Sequence, residues 1–146
     1  MSKNWKKYWK LGVEEFNTEY FDVTKKGELL VNEGNYVFNL HSLVKKYGSP
    51  LEVVFPFILE KRLSDLRDYF NAFIKIQNYK GKFFYHYPMK VNQNKEFVMP
   101  LISEGAHMEV GSFNELWLVK SLLEKERFNL KLRVLCNGPK SDSYLK

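Results

Sequence analysis

The sequence predicts an α/β protein with a parallel sheet, and three observations carry that prediction. Apolar residues at Leu59, Leu63, Leu66, Tyr69, Phe70 and Phe73 recur at helical spacing through about Ile76. Beyond Gly81, short apolar runs alternate with helical stretches. The starts of three such runs, near residues 83, 107 and 131, lie about two dozen residues apart, which is the rhythm of βαβ units. The composition is 45% hydrophobic, 16% aromatic and 27% charged, that of an ordinary globular domain.

Two textures divide the 146 residues. Residues 1–47 are polar and turn-rich and read as an N-terminal extension. Phe21-Asp22-Val23 and residues 28–31 read as two short strands around Lys25-Lys26-Gly27, with glycine where a turn asks for positive φ. A short helix is expected over 39–47, ended by Gly48 and followed by Ser49-Pro50. From 48 to 146 the βα rhythm takes over. Residues 51–55 read as a buried strand, and the helix of the opening observation follows Pro56. A strand is expected over 83–91, a helix face over 97–102 closed by Gly105, and a strand around His107–Val110. A helix from Ser112 to about Lys125, a strand over 130–136 and a loop over 137–140 complete the pattern, and Ser141 is placed to cap a last helix. A closed (β/α)8 barrel takes about 250 residues. Only three complete strand steps follow the 59–76 helix, so the expectation is a small open sheet or the front of a larger, incomplete barrel.

Several function classes are disfavoured at once. The apolar run at 53–59 is far too short to span a bilayer and contains Pro56. No apolar region follows the basic N-terminal residues as a secretory signal would, and a reducing cytoplasm is the expected location. The single cysteine, Cys136, excludes an internal disulfide, reads as a buried thiol, and belongs to no cluster with zinc spacing. The net charge of +6 raises the question of nucleic acid. Lys3, Lys6, Lys7 and Lys10 are interleaved with Trp5, Tyr8 and Trp9, a pattern that suits phosphates and bases or an anionic membrane. Downstream, basic residues alternate with acids (Glu60-Lys61-Arg62, Glu124-Lys125-Glu126-Arg127) and form no stripe. The favoured reading is an arm docking its aromatics on the rest of the protein, with no nucleic acid and no membrane as partner.

The residue with the most chemistry is Lys90. It stands at the end of an apolar run containing Phe83, Phe84, Tyr85, Tyr87, Met89 and Val91. A strand buried on both faces reads as such a run, and an ammonium there is costly unless paired or neutralised. Desolvation favours the neutral amine that can attack an aldehyde. In a barrel, side chains at the carboxyl ends of strands face the active site. The plainer alternative, and the favoured one on pattern alone, is a lysine that snorkels from a strand end. Pro88 removes a ladder donor and weakens a central-strand reading.

The segment Tyr87-Pro88-Met89-Lys90-Val91-Asn92-Gln93 resembles the cofactor-lysine segment of biosynthetic arginine decarboxylases, which are alanine-racemase-like barrels using pyridoxal phosphate. Further matches follow in order. Tyr20-Phe21-Asp22-Val23 with Gly27 and Val31 resembles the family's entry. Pro50-Leu51-Glu52-Val53-Val54-Phe55 with Ile58, Leu59 and Arg62 resembles its first strand and helix. Met108-Glu109-Val110-Gly111-Ser112 with Glu115-Leu116 is similar to its Leu-Glu-Ala-Gly-Ser segment. Cys136-Asn137-Gly138 with Lys140 and Asp142 is similar to its Cys-Asn-Gly-Tyr-Lys-Asp loop.

The resemblance implies an incomplete (β/α)8 barrel preceded by strands that would join a β-domain. It implies a carboxy-lyase converting L-arginine to agmatine and carbon dioxide, in polyamine and spermidine biosynthesis, with pyridoxal 5'-phosphate as cofactor and a homo-oligomeric full-length enzyme. Lys90 would hold the cofactor as a Schiff base and assist protonation after carbon dioxide leaves. Glu109 occupies the acidic position of the next strand end, where a carboxylate would favour a charged lysine or iminium; an ordinary strand-end acid is the alternative. Glu115 matches an acidic position of the related ornithine enzymes, and Asn137 would position a backbone group or Lys140. His86 and His107 could each stack on a cofactor ring, although strand residues with satisfied hydrogen bonds are the commoner case. The sequence departs from the family at Met89 (isoleucine is usual), Val110 (alanine) and Pro139 (tyrosine). The family's phosphate loop and pyridine-nitrogen glutamate would lie beyond residue 146, so the expectation is a portion too short to be active alone. Diaminopimelate or ornithine decarboxylase, and a non-catalytic homologue that binds a decarboxylase, remain open alternatives.

Overall fold

The computed structural model describes residues 20–126 and 131–145. The basic aromatic run at 3–10 and the expected start of the strand at residue 130 lie outside the described residues. Two compact units divide the chain, one up to Val53 and one from Val54.

In the first unit, β1 (Phe21–Val23), β2 (Leu29–Glu33) and β3 (Tyr36–Asn39) form an antiparallel sheet in that order. The β1–β2 turn forms where expected. Gly27 takes φ of 85°, and the Thr24 hydroxyl accepts from the Glu28 amide at 3.1 Å. The third strand was not foreseen. Glu33 pairs with Tyr36, so Gly34-Asn35 is a two-residue hairpin loop, and Gly34 supplies the positive φ (55°) such a loop needs. These strands therefore pair with one another within the unit. Helix α1 (Leu40–Tyr47) begins where Asn39 caps it, the side-chain oxygen accepting from the Ser42 amide at 3.1 Å. Gly48, at φ 90°, ends it.

The second unit opens on α2 (Pro56–Ile76), with Pro56 in the first turn, where a missing N–H costs nothing. There follow β4 (His86–Pro88), α3 (Lys95–Ser103), β5 (His107–Val110), α4 (Phe113–Glu126), β6 (Val134–Cys136) and α5 (Asp142–Leu145). Strands β4, β5 and β6 lie side by side, all parallel, in register His86↔His107, Pro88↔Glu109, Glu109↔Leu135 and Val110↔Cys136. This is the α/β alternation expected, realised as an open three-stranded sheet.

Alternation along the strands decides which face is packed. Tyr87, Met89, Met108 and Val110 are buried among Leu63, Val98, Leu101, Ile102 and Val119 of α2, α3 and α4. Their neighbours His86, Pro88, His107 and Glu109 are half-buried on the opposite face, and Leu135 is half exposed. Helix α3 ends in a Schellman motif. The Ala106 amide reaches the Leu101 carbonyl at 2.9 Å, the Gly105 amide reaches Ile102 at 2.9 Å, and Gly105 takes φ of 84°. Arg67 of α2 donates to the Glu104 carbonyl at 2.5 Å, which ties α2 to the end of α3.

Two expectations need correction. Residues 51–55 form no strand, because an extended apolar segment becomes one only when a neighbour completes its backbone hydrogen bonds. In the sheet β4 pairs with β5 alone. Cys136 is exposed; it ends the edge strand β6, and its sulfur accepts from the Tyr144 hydroxyl at 3.5 Å. Among the described residues no helix is long and apolar enough to cross a membrane.

Candidate functional site

The carboxyl ends of β4, β5 and β6 carry the residues singled out in the sequence. The chain leaves β4 with one more ladder bond, from the Met89 amide to the Glu109 carbonyl at 2.9 Å. It then turns at once, the Val91 amide bonding the Pro88 carbonyl at 3.0 Å. Lys90 sits at the tip of that turn. The Tyr87 hydroxyl donates to the Asn92 carbonyl at 3.0 Å, and the Asn92 side chain accepts from the Asn94 amide at 2.9 Å at the start of α3. The lysine is thus mounted on a braced loop between a strand and a helix.

The premise that Lys90 is buried is corrected here. Met89 is fully buried, but Lys90 points the other way and is exposed. Among the described residues its amine takes no hydrogen bond and no ion pair. What the described fold provides is accessibility and placement.

Glu109 lies one strand over, in register with Pro88. It alternates with the buried Met108 and Val110, so its carboxylate stands on the half-open face. One oxygen accepts from the Asn137 side-chain amide at 2.7 Å, and the Asn137 backbone amide bonds the Val110 carbonyl at 2.8 Å. The sheet thereby brings the Asn137 side chain onto Glu109, while its backbone carbonyl accepts from Lys140. The Lys140 ammonium donates to three carbonyls, those of Gly111 at 3.3 Å, Gly138 at 3.1 Å and Asn137.

Glu115 is only 8% exposed, against the solvated helical glutamate that is the common case. One carboxylate oxygen accepts from the Gly111 amide at 2.6 Å, and the other from the Gln93 side chain at 3.3 Å. Its own amide bonds the Ser112 hydroxyl at 3.2 Å. Ser112-Phe113-Asn114-Glu115 is therefore a capping-box pattern in which the acid reaches one residue further back than usual. Gln93 is the partner that sequence reasoning passed over. The Ser-x-x-Glu spacing is the signal that could have placed Glu115 against its helix start, but nothing local signals a contact across 22 residues.

His86 and His107 are not part of this cluster. They pair at the starts of β4 and β5, with ring centroids 5.1 Å apart, at the opposite end of the strands from Lys90. The Arg133 guanidinium lies over the Phe84 ring beside them, at 3.8 Å. His107 accepts from the Arg133 amide through Nδ1 at 3.3 Å. Burial first, then His86 and Arg133, push its pKa below the ordinary histidine value. The pair stands at the end of the strands away from Lys90.

The residues present fit the covalent end of an aldehyde cofactor such as pyridoxal phosphate. Lys90 offers an accessible amine, and the adjacent strand offers a carboxylate oriented by an amide. Gly111 adds room at the strand ends. A Cβ there would meet only a Glu115 oxygen, at an ordinary 3.7 Å, so neither its backbone nor its described neighbours demand glycine.

These features define the class as an α/β chain whose strand ends present a lysine and carboxylates. No protein-family model matches the chain. Among curated proteins it is similar to biosynthetic arginine decarboxylases, as the motifs led us to expect. It is 29% identical to that of Prochlorococcus marinus strain MIT 9515, over 99% of this chain and 25% of the relative. With the Neisseria meningitidis serogroup B protein the identity is 31%, over 92% of this chain and 22% of the relative. With that of Vibrio cholerae serotype O1 it is 29%, over 95% and 22%. The chain is arginine-decarboxylase-like over nearly all of its length. It spans between a fifth and a quarter of the length of these relatives.

Proposed function

We propose that this chain supplies the cofactor-lysine portion of a pyridoxal-phosphate-dependent decarboxylase acting on L-arginine, with Lys90 as the amine that binds the cofactor aldehyde. The observation that carries this reading is the exposed amine just beyond β4, without a partner among the described residues, inside the segment that resembles the family's cofactor-lysine segment. On this reading β4, β5 and β6 are early strands of a (β/α)8 barrel, residues 48–146 are its first βα units, and residues 1–47 belong to an N-terminal extension. The whole enzyme would be a homo-oligomer of the cytoplasm, and these residues alone would not turn over substrate.

Pyridoxal phosphate, when bound, supplies the aldehyde and an electron sink for the bond to carbon dioxide. This chain's residues do the rest of what concerns Lys90. The β4 turn holds the amine in the open. Glu109, kept in orientation by Asn137, presents a carboxylate on the strand next to it. Glu115 holds the loop after β5 through the Gly111 amide.

The test is chemical mapping. The protein is incubated with pyridoxal phosphate, reduced with borohydride and digested. Lys90 is expected to carry label well above the other lysines. Label spread evenly over surface lysines would contradict the reading.

A further inference from the structure

We infer that Glu115 and Gln93 form a latch that positions Lys90, by joining the loop that carries the lysine to the loop after β5. The inference rests on the reading of Lys90 above, and it adds a residue, Gln93, with a defined task.

A carboxylate that is nine-tenths buried must have its oxygens satisfied. Glu115 meets this with two donors from two different loops. The Gly111 amide, at 2.6 Å, belongs to the turn between β5 and α4. The Gln93 side chain, at 3.3 Å, belongs to the loop between β4 and α3, three residues after Lys90. Val119, one helical turn further along α4, is fully buried in the core, so Glu115 extends from a rigid support. Hydrogen bonds to an ionised acceptor are the stronger kind. The Gln93 amide is the only side chain of the Lys90 loop that reaches α4 among the described hydrogen bonds. Remove it, and the loop keeps the ladder bond from the Met89 amide to the Glu109 carbonyl at its start, the Val91 to Pro88 turn bond, and the bonds from Tyr87 to Asn92 and from Asn94 to Asn92. Those anchor the loop ahead of Lys90 and brace its shape, but they leave the stretch after the lysine without a side-chain bond to α4.

The latch acts through position and not through charge on the lysine. This separates two substitutions at one site. In Glu115→Gln the amide oxygen can still accept from Gly111, and its NH2 can donate to a flipped Gln93, so the bridge survives without the charge. In Glu115→Ala the bridge is gone. Glu115 is buried, so its truncation endangers the fold; Gln93 is exposed, and Gln93→Ala opens the same bridge from its harmless end.

The experiment measures Lys90 labelling by pyridoxal phosphate and borohydride, relative to all other lysines and as a function of pH. It is run on the wild type, Gln93→Ala, Glu115→Ala and Glu115→Gln, alongside amide hydrogen exchange of residues 89–94. Gln93→Ala is expected to speed exchange in that loop and to lower Lys90 enrichment by up to about tenfold, the worth of one hydrogen bond. The shape of its pH profile is expected to stay as in the wild type. Glu115→Gln is expected to retain both enrichment and slow exchange. Faster exchange with unchanged enrichment would make the contact merely structural and overturn the latch. Loss in Glu115→Gln with retention in Gln93→Ala would assign the effect to charge and overturn it equally. Enrichment in the wild type that no variant alters would leave Lys90 standing and remove the latch alone. A wild type without enrichment would remove both.

Discussion

Single residues here act through which face of a strand they occupy. Lys90 and Met89 are neighbours in sequence, yet Met89 is fully buried and Lys90 is exposed, because Met89 still carries the ladder bond to Glu109 while Lys90 stands at the tip of the turn that follows β4. Lys90 as a candidate was legible from its motif; its surroundings were not, since an apolar run looks the same whether one face or both are covered. The contact between Glu115 and Gln93 was hidden for a different reason, as it exists only once α4 has packed on β5. His107 illustrates a residue whose chemistry is thermodynamic. In the folded protein its Nδ1 accepts a hydrogen bond from the Arg133 amide, which requires that nitrogen to be unprotonated. Burial, His86 and Arg133 together depress its pKa. The unfolded chain therefore binds the proton more readily, and the stability His107 contributes is fully present above the unfolded value of 6.5. It is lost as pH falls below that value and through the lower folded one. Urea midpoints taken at about pH 7.5 and about pH 5.5 are expected to drop on acidification in the wild type, and to drop less in His107→Gln.

Elements followed their local signals where those signals were complete. Asn39 and Gly48 bracket α1, and Gly105 ends α3 with a left-handed residue that few side chains tolerate. The signal for β3 is the pair Gly34-Asn35, a two-residue hairpin loop with Tyr36-Val37-Phe38 of strand character beyond it. The strand expected over 51–55 failed for the reverse reason: its side chains suit a strand, but strands are defined by partners. At the start of α4 the cap can be tested directly. Ser112→Ala removes the acceptor of the Glu115 amide and is expected to cost about 1 kcal/mol, with Ser112→Asp recovering most of it. The measurement is the urea denaturation midpoint at constant slope. A Ser112→Ala protein as stable as the wild type would show that the Glu115 side chain holds this turn unaided.

At the scale of the whole molecule, the second unit is a parallel sheet with one face packed and one half open. Parallel sheets are ordinarily covered on both faces. Here helices cover the Met108 and Val110 side, while Leu135 is 50% exposed on the other. Helix α2 shows the same one-sidedness. Leu63 is buried, yet Phe70, Phe73 and Ile76 from the same apolar pattern remain exposed, with Phe70 stacked on Phe83 at 4.1 Å. The α/β class was legible because the βα spacing is local and periodic. Whether the sheet closes into a barrel depends on residues distant in sequence and lies outside what periodicity can report. Within this frame the strand ends present an accessible amine, and the account stands on that amine being the one an aldehyde cofactor takes. The most direct measurement is a titration of the wild type and of Lys90→Ala with pyridoxal phosphate, followed by imine absorbance. The wild type is expected to show a saturable component that Lys90→Ala lacks, above a shared linear background from surface lysines. Superimposable titrations of the two proteins would contradict the account.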